Sequence, residues 1–445
     1  MARSIFSADM RGQRNTVVVV GIALLAALLM VGLLAPPAHA AIIFTVNSTG
    51  DGGDVNLNDN ICDASNSILT SPCTLRAAIQ EANDTPGADE IDFEIGGPSA
   101  TGVKTISPTS APLPFITEAV IINGYTQPGA SPNTLDKGTN AKLKIQLSGA
   151  NLSVINEFGL FFFAPSGEVK GLVINRFDDG GIVLSTSSSN SSVRGNFIGT
   201  NPAGTQDLGN GHDGVAIALT AGGNNTIGGD TPAARNLISG NQLHGVEINA
   251  DESTVVGNLI GTDKYGTSPI ANSFDGVRIG STSNIVGSNT IAFNGSDGVT
   301  ISSGISNSIL SNSIFSNGFL GIDLLGEGPT PNDPQDPDTG ANNLQNKPVL
   351  TSAVNSSGTT TIKGRLNSTP NETFTIEFFS NPSGTDEGKI FLGKKEVTTG
   401  QDGLFLFQKT FSPAVNKGRT ITATATNTTT HDTSEFSAPR TVTSA

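Results

Sequence analysis

A short phrase, Gly-Val-x-Ile or a near variant, recurs through the middle of the chain, with its glycine at Gly214, Gly245, Gly276, Gly298 and Gly321. The intervals of 31, 31, 22 and 23 residues describe a unit of about 22 residues that sometimes carries a longer loop. In each copy (Val215/Ile217, Val246/Ile248, Val277/Ile279, Val299/Ile301, Ile322/Leu324) two branched residues flank a variable one. That alternation buries one face of a short strand and leaves the other to vary. A chain patterned this way predicts a solenoid of stacked β-coils.

Composition agrees. The chain has 53 glycines in 445 residues and only 14% charged residues, with abundant Asn, Ser and Thr, which suits many short strands joined by tight turns. Long helical patterns are nearly absent, and the length predicts two or three domains.

The first forty residues read as a leader. Arg3, Arg11 and Arg14 precede an apolar run from Val17 to Leu34, then Pro36-Pro37 and Ala38-His39-Ala40, a secretory signal cut before Ala41. The run is 18 residues, so an uncleaved anchor is the alternative reading. Without residues 1–40, which hold three of the 24 basic and one of the 39 acidic residues, 21 basic and 38 acidic residues remain, a formal charge of −17. That sign argues against nucleic acid and anionic membrane surfaces as partners, and no second apolar stretch is long enough to span a bilayer.

Cys62 and Cys73 both lie in the exported part. In an oxidising compartment such a pair most simply forms one local disulfide, whereas a metal site would need more ligands than two thiols. Next comes one helix signal. Thr74 stands as N-cap, Leu75, Ala78, Ile79 and Ala82 form an apolar stripe with Arg76, Gln80 and Glu81 on the outer face, and Asn83-Asp84-Thr85-Pro86-Gly87 ends it. A short amphipathic helix ahead of a solenoid suits a cap, because the first coil otherwise exposes a strand edge and an open core.

The stretch Phe44-Thr-Val-Asn-Ser-Thr-Gly-Asp51, the Cys62 loop and Cys73-Thr-Leu-Arg-Ala-Ala-Ile-Gln-Glu-Ala-Asn83 resemble the N-terminal module of exported bacterial CSLREA-domain proteins. Thr74 stands for the usual Ser and Ala77 for the usual Glu. Ile121-Ile-Asn-Gly-Tyr-Thr-Gln-Pro-Gly-Ala-Ser-Pro-Asn133 and the paired Gly-Asn-x-Ile-Gly-Thr segments resemble the right-handed parallel β-helix repeats that follow it. The likeness covers residues 43–326 and implies export and a β-helix, but no reaction.

Asn-x-Ile recurs at Asn196, Asn225, Asn236, Asn258, Asn289, Asn307 and Asn312. Coils stack about 4.8 Å apart, so equivalent asparagines predict amide ladders at the bends. Two motif matches are deceptive. Gly199–Thr205 and Gly261–Thr267 echo a phosphate loop without its Lys and are copies of one another. Gly209-Asn-Gly211-His-Asp-Gly214 has the dinucleotide spacing but leads into a strand, so no helix N-terminus awaits a pyrophosphate.

Aligning the coils on their glycines yields the one constellation of catalytic interest. Asp213, His244, Asp275, Asp297 and Leu320 precede the glycines, while Ala216, Glu247, Arg278, Thr300 and Asp323 follow two places on. Asp275 and Asp297 on adjacent coils would lie about 5 Å apart, a separation compatible with glycoside hydrolysis. Asp213 and Arg278 complete that candidate set. The competing expectation is turn chemistry at Asp-Gly, with an exposed Glu247–Arg278 ion pair. Carbohydrate sites lean on aromatic platforms, and the chain has no Trp and two Tyr, Tyr125 and Tyr265. Apart from Arg278, only Lys264 could neutralise an acidic sugar nearby.

Asp333, Asp336 and Asp338 with Gly340 form one oxygen-rich segment. Asp51, Asp54, Asn56, Asn58, Asp59 and Asp63 form another. Both are calcium candidates, although neither has the bidentate Glu at EF-hand position twelve; no other cofactor is implied.

Prolines 329, 331, 334 and 337 mark a linker or terminal cover, and from Pro348 seven strand patterns follow, the last over Glu435–Val442. They predict an immunoglobulin-like sandwich with strands covered on one face. The expectation is thus an all-β chain: leader 1–40, cap 41–95, right-handed parallel β-helix 96–326, linker 327–347 and sandwich 348–445. Its leading function is secreted or cell-surface binding to a polysaccharide or surface partner without catalysis. The alternative is a polysaccharide-cleaving lyase or glycoside hydrolase using the stacked aspartates.

Overall fold

The computed structural model describes residues 41–57, 59–65, 71–109, 111–152 and 157–445. The expected leader and Asn58 of the cap loop lie outside the described residues. Three parallel sheets of nine, eight and seven strands form the solenoid. The first runs from Ile43–Val46 to Ser308–Leu310, the second from Lys104–Ile106 to Ser313–Phe315, and the third from Leu160–Phe162 to Ile322–Leu324. Each full coil gives one short strand to each sheet, as Thr254–Val256, Leu259–Ile260 and Val277–Ile279 do in turn. The chain is a parallel β-helix.

The repeat residues stack in register, Val215 on Val246 on Val277 on Val299 on Ile322. All are essentially buried in one continuous core along the bore, and each such side chain contributes about 1.5–3 kcal/mol. The glycine ahead of each strand answers to close approach. A Cβ on Gly276 would sit 2.4 Å from Ile291 Cγ2 and 2.7 Å from the Gly298 carbonyl oxygen, so only hydrogen lets neighbouring coils meet there.

Two amide ladders run along the later coils, beginning at Asn196 and Asn210. Asn196, Asn236, Asn258, Asn289 and Asn312 pass Nδ2–H to Oδ1 from coil to coil at 2.9–3.3 Å. A second ladder joins Asn210, Asn241, Asn272, Asn294 and Asn317 at 2.9 Å per step. The two copied loops lie on the outer side of the second sheet: Lys264 N donates to the Gly204 carbonyl at 2.8 Å. Beneath them Leu143, Val173, Phe197, Leu237 and Leu259 make a separate apolar stripe.

At the N-terminal end, Ile43–Val46 and Asp89–Phe93 are the first two rungs of the first sheet, and helix α1 (Leu75–Asp84) closes the bore. Thr74 Oγ1 caps α1 by accepting from Ala77 N at 3.1 Å, and the Cys62–Cys73 disulfide is formed. One expectation fails here. Glu81 is not on an outer face but fully buried, because the loop ahead of Cys62 folds over α1, with Asp54 N donating to Gln80 Oε1 at 2.8 Å.

The C-terminal segment forms two four-stranded sheets sharing a core of Phe374, Ile376, Phe378, Phe407, Ile421, Ala423 and Ala425. The strand expected over Glu435–Val442 is reduced to Arg440–Thr441. Arg440–Thr441 and Thr443–Ser444 join different sheets, and Ser434 and Ser437 donate backbone N–H groups to Ala425 and Ala423. Strand Thr420–Asn427 is buried along its whole length, so it is covered on both faces rather than one. Its second face belongs to a sheet seated on the last coil of the solenoid: Ile314 and Gly388 exchange backbone hydrogen bonds, Glu377 takes Ser311 N and Oγ, and Glu387 takes Ser316 N and Asn317 N. Within 327–347, Asn342 Oδ1 accepts from Asn307 N at 2.9 Å, covering the same coil. Among the described residues no helix is long and apolar enough to cross a membrane.

Candidate ligand-binding face

The third sheet points its strand-centre residues away from the bore. In register these are Phe161, Val183, Ala216, Glu247, Arg278, Thr300 and Asp323. Along one border runs the column that precedes the repeat glycines, and outside that a ridge ending in Phe274 and Phe319, which are 50% and 72% exposed.

The structure brings the column residues together, but below the surface. Asp213, His244, Asp275 and Asp297 are all buried. Each offers a side-chain acceptor to the backbone N–H of its successor: Asp213 Oδ1 to His244 N (2.9 Å), His244 Nδ1 to Asp275 N (3.2 Å), Asp275 Oδ1 to Asp297 N (3.2 Å) and Asp297 Oδ1 to Leu320 N (2.7 Å). This is a third ladder, built from mixed side chains. Their remaining atoms make local contacts: His212 Nδ1 lies 2.8 Å from Asp213 Oδ2, and Ser296 and Thr300 hydroxyls each lie 3.3 Å from Asp297 Oδ2. Arg278 leans to Asp275, Nη1 to Oδ2 3.7 Å, rather than pairing with Glu247 across the strand. Lys264 is held in the loops over the second sheet, between Thr139 and Gly204.

His244 Nδ1 also lies 3.3 Å from Asp275 Oδ2. It can accept from Asp275 N only through a lone pair and donate to Oδ2 only as N–H, so the tautomer decides which bond exists. The aspartates do not titrate alike. Burial pushes Asp275 up, but hydrogen bonding and charge from His244, with help from Ser296 and Asp297 N, outweigh it and hold the carboxyl below its usual range. Burial raises Asp213, helped by the Glu247 charge, and burial raises Asp297.

At the first-coil end of the same face sits a feature that sequence reasoning missed. Phe115, Phe158, Phe161 and Phe163 form one aromatic cluster, with ring centroids 4.9–5.2 Å apart. Phe161 and Phe163 are stacked, and Phe115 is 54% exposed. A cavity of about 400 Å³ opens beside them, lined by Pro112, Leu113, Pro114, Phe115, Phe158 and Phe161. The available signal was the run Phe158-Gly-Leu-Phe161-Phe162-Phe163: Phe162 faces the bore at 0% exposure, so strand alternation turns its two neighbours outward.

Of the calcium candidates, Asp333, Asp336 and Asp338 present ligand oxygens within 4.8 Å of one another. Asp336 already accepts from Gln345 Nε2, Ser368 Oγ and Asn346 N. In the cap, Asp54 accepts from Asn56 N and Asp63 N, and Asp59 from Ile61 N and Asn56 Nδ2.

No family model matches the chain, and no curated protein matches it. Among solved structures it is similar to the crystal structure of pectate lyase Pel9A, at 14% identity and a TM-score of 0.25, over 63% of this chain and 72% of that one. It is also similar to the crystal structure of the Dettilon tailspike protein, at 10% identity and a TM-score of 0.23, over 83% and 94%. The β-helix assignment rests on the strand register given above.

Proposed function

We propose that this chain is an exported, non-catalytic protein that binds a polysaccharide or another surface partner along the face of its third sheet. The observation carrying this reading is the phenylalanine cluster: one exposed and three half-buried rings beside an open cavity suit the apolar faces of sugar rings, and stacked coils extend the surface beyond one sugar. The aspartates of the column, Asp213, Asp275 and Asp297, are spent on the coil-to-coil ladder. Export accords with the leader pattern and with a formed disulfide, a bond that persists in oxidising compartments. In the same reading the cap is of the CSLREA type and the C-terminal pair of sheets is an immunoglobulin-like sandwich.

The test is retention on a panel of neutral and acidic polysaccharides, with release of reducing ends or unsaturated products measured alongside. Phe161→Ala and Phe115→Ala should each weaken retention by roughly 0.5–1.5 kcal/mol, the scale of one ring contact, with no product released by any form. A cleaving enzyme is the second reading, favoured by one observation: Asp275 is held low and Asp297 pushed up, the divergence expected of an acid and base pair. Product release by the wild type that disappears in both Asp275→Asn and Asp297→Asn would replace the first reading with the second.

A further inference from the structure

Buried carboxylates are costly unless something positive or hydrogen-bonding meets them. Glu81, on α1, has 0% exposure, and neither of its carboxylate oxygens has a hydrogen-bond partner. It lies under the loop that carries Asp54, Asp59 and Asp63. Asp54 stands within hydrogen-bonding reach of the Glu81 carboxyl, acceptor facing acceptor with no donor between them. Asp63 contributes a third buried oxygen, Oδ1, that also lacks a partner. The ion pair formed by this cap is Arg76 with Asp51, so among the described residues no basic side chain is paired to Glu81, Asp54, Asp59 or Asp63.

We propose that Glu81 and Asp54 bind one calcium ion that fastens the cap loop to helix α1. The ligand chemistry is all oxygen, which selects a hard cation. An irregular loop opposed to a helix carboxylate able to bind through both oxygens suits the larger, flexible shell of Ca²⁺ better than the strict octahedron of Mg²⁺. Several negative charges with no counter-charge favour a divalent ion over a monovalent one. Each Asp54 oxygen already accepts one backbone N–H, from Asn56 at 2.9 Å and from Asp63 at 2.8 Å, and keeps a further lone pair, so the loop is shaped before the ion arrives. In the absence of an ion, burial first and then the charges of Asp54 and Asp59 raise the Glu81 pKa to about 7, so a proton is the competitor for the site.

The experiment uses the chain from residue 41, freed of metal by chelation, at a pH of about 8, where the proton competitor is weak. Calcium chloride is titrated calorimetrically, and melting is followed with calcium or magnesium at millimolar concentration. The wild type should bind calcium and melt higher with it than with magnesium. Glu81→Gln and Asp54→Asn should each lose about tenfold or more in calcium affinity, because ligand charge sets affinity in such sites, while Asp336→Asn binds as the wild type does. Glu81→Gln should also melt no lower than metal-free wild type, since it removes a repelled charge. Undiminished binding by both Glu81→Gln and Asp54→Asn, or loss of binding in Asp336→Asn alone, would place the ion elsewhere and overturn the proposal. So would a wild type that binds no calcium and keeps Glu81 protonated by carboxyl-selective spectroscopy.

Discussion

The backbone N–H of Asp297 donates to the Asp275 carboxylate of the preceding coil at 3.2 Å. This single bond assigns the stacked aspartates a task that needs no substrate, since an interior N–H at the border of a strand must be met by something. Repeated from Asp213 to Leu320, it ties each coil to the next beside the third sheet.

Side-chain shape should therefore matter more than charge in the column. Asp297→Asn keeps an acceptor for Leu320 N and should shift stability by under about 1 kcal/mol. Asp297→Ala leaves that donor unmet and should cost about 1–3 kcal/mol. Urea melts of the two variants beside wild type decide the matter, and equal losses in both would mean that the charge, not the acceptor, is what the fold uses.

The repeat glycine makes a sharper demand. In Gly276→Ala the new methyl would meet Ile291 Cγ2 at 2.4 Å and Gly298 O at 2.7 Å, one a packed side chain and the other backbone. Overpacking of this kind costs about 1–3 kcal/mol, and here two coils would have to separate. Gly358→Ala offers an internal contrast: nothing lies within 4 Å of its added carbon, but its φ of +81° still carries backbone strain. Thermal melts should show the larger loss at Gly276 if coil contact governs; a larger loss at Gly358 would mean that backbone freedom does.

The coil period was legible because one short-range rule, branched–variable–branched after glycine, is repeated at every turn. The Asn196 ladder was legible for the same reason. The Asn210 ladder was not, although its steps of 31, 31, 22 and 23 residues match the glycines, because no isoleucine follows its members to mark the bend. Residues whose surroundings come from distant chain escaped altogether. Glu81 reads as an outward helix residue until the disulfide loop covers it. Thr422, Thr424 and Glu377 read as the wet side of a strand until the solenoid end is laid against them. At the Phe115–Phe161 platform the alternation was present in the sequence, but its partner ring comes from 46 residues earlier in the chain.

The seam between solenoid and C-terminal sheets rests on carboxylates. Glu387 collects Ser316 N, Asn317 N and the last amide of the second ladder, Asn317 Nδ2 at 3.0 Å. Glu387→Ala strands three donors at once and should loosen the seam by about 3 kcal/mol or more. The measurement is hydrogen exchange. Amides of 311–318 and 420–427 should lose protection together in the variant, while those near Val215–Ile217 remain protected; unchanged exchange at the seam would show that its strand pairing suffices.

Stability should also depend on pH through Asp323, which lies outside both the proposed ion site and the phenylalanine platform. Burial first, then the charges of Asp297 and Glu435, raise its pKa to about 6, against opposing hydrogen bonds from Gly328 N and Gly326 N. A carboxyl raised in the folded state binds its proton more tightly there than in the unfolded chain. Its contribution is therefore fully present below the unfolded value of 3.8 and fades as the pH climbs through about 6, a loss on the order of 2 kcal/mol. Asp323→Asn does not titrate and keeps an acceptor for one of the two glycine amides, which bond to different oxygens of Asp323, so it should lower the whole profile but flatten this part of it. Denaturant melts at pH values from about 4 to 7, in the presence of chelator, give the comparison. A wild-type curve as flat as the variant's between those limits would mean that water or a neighbouring donor already meets the Asp323 charge.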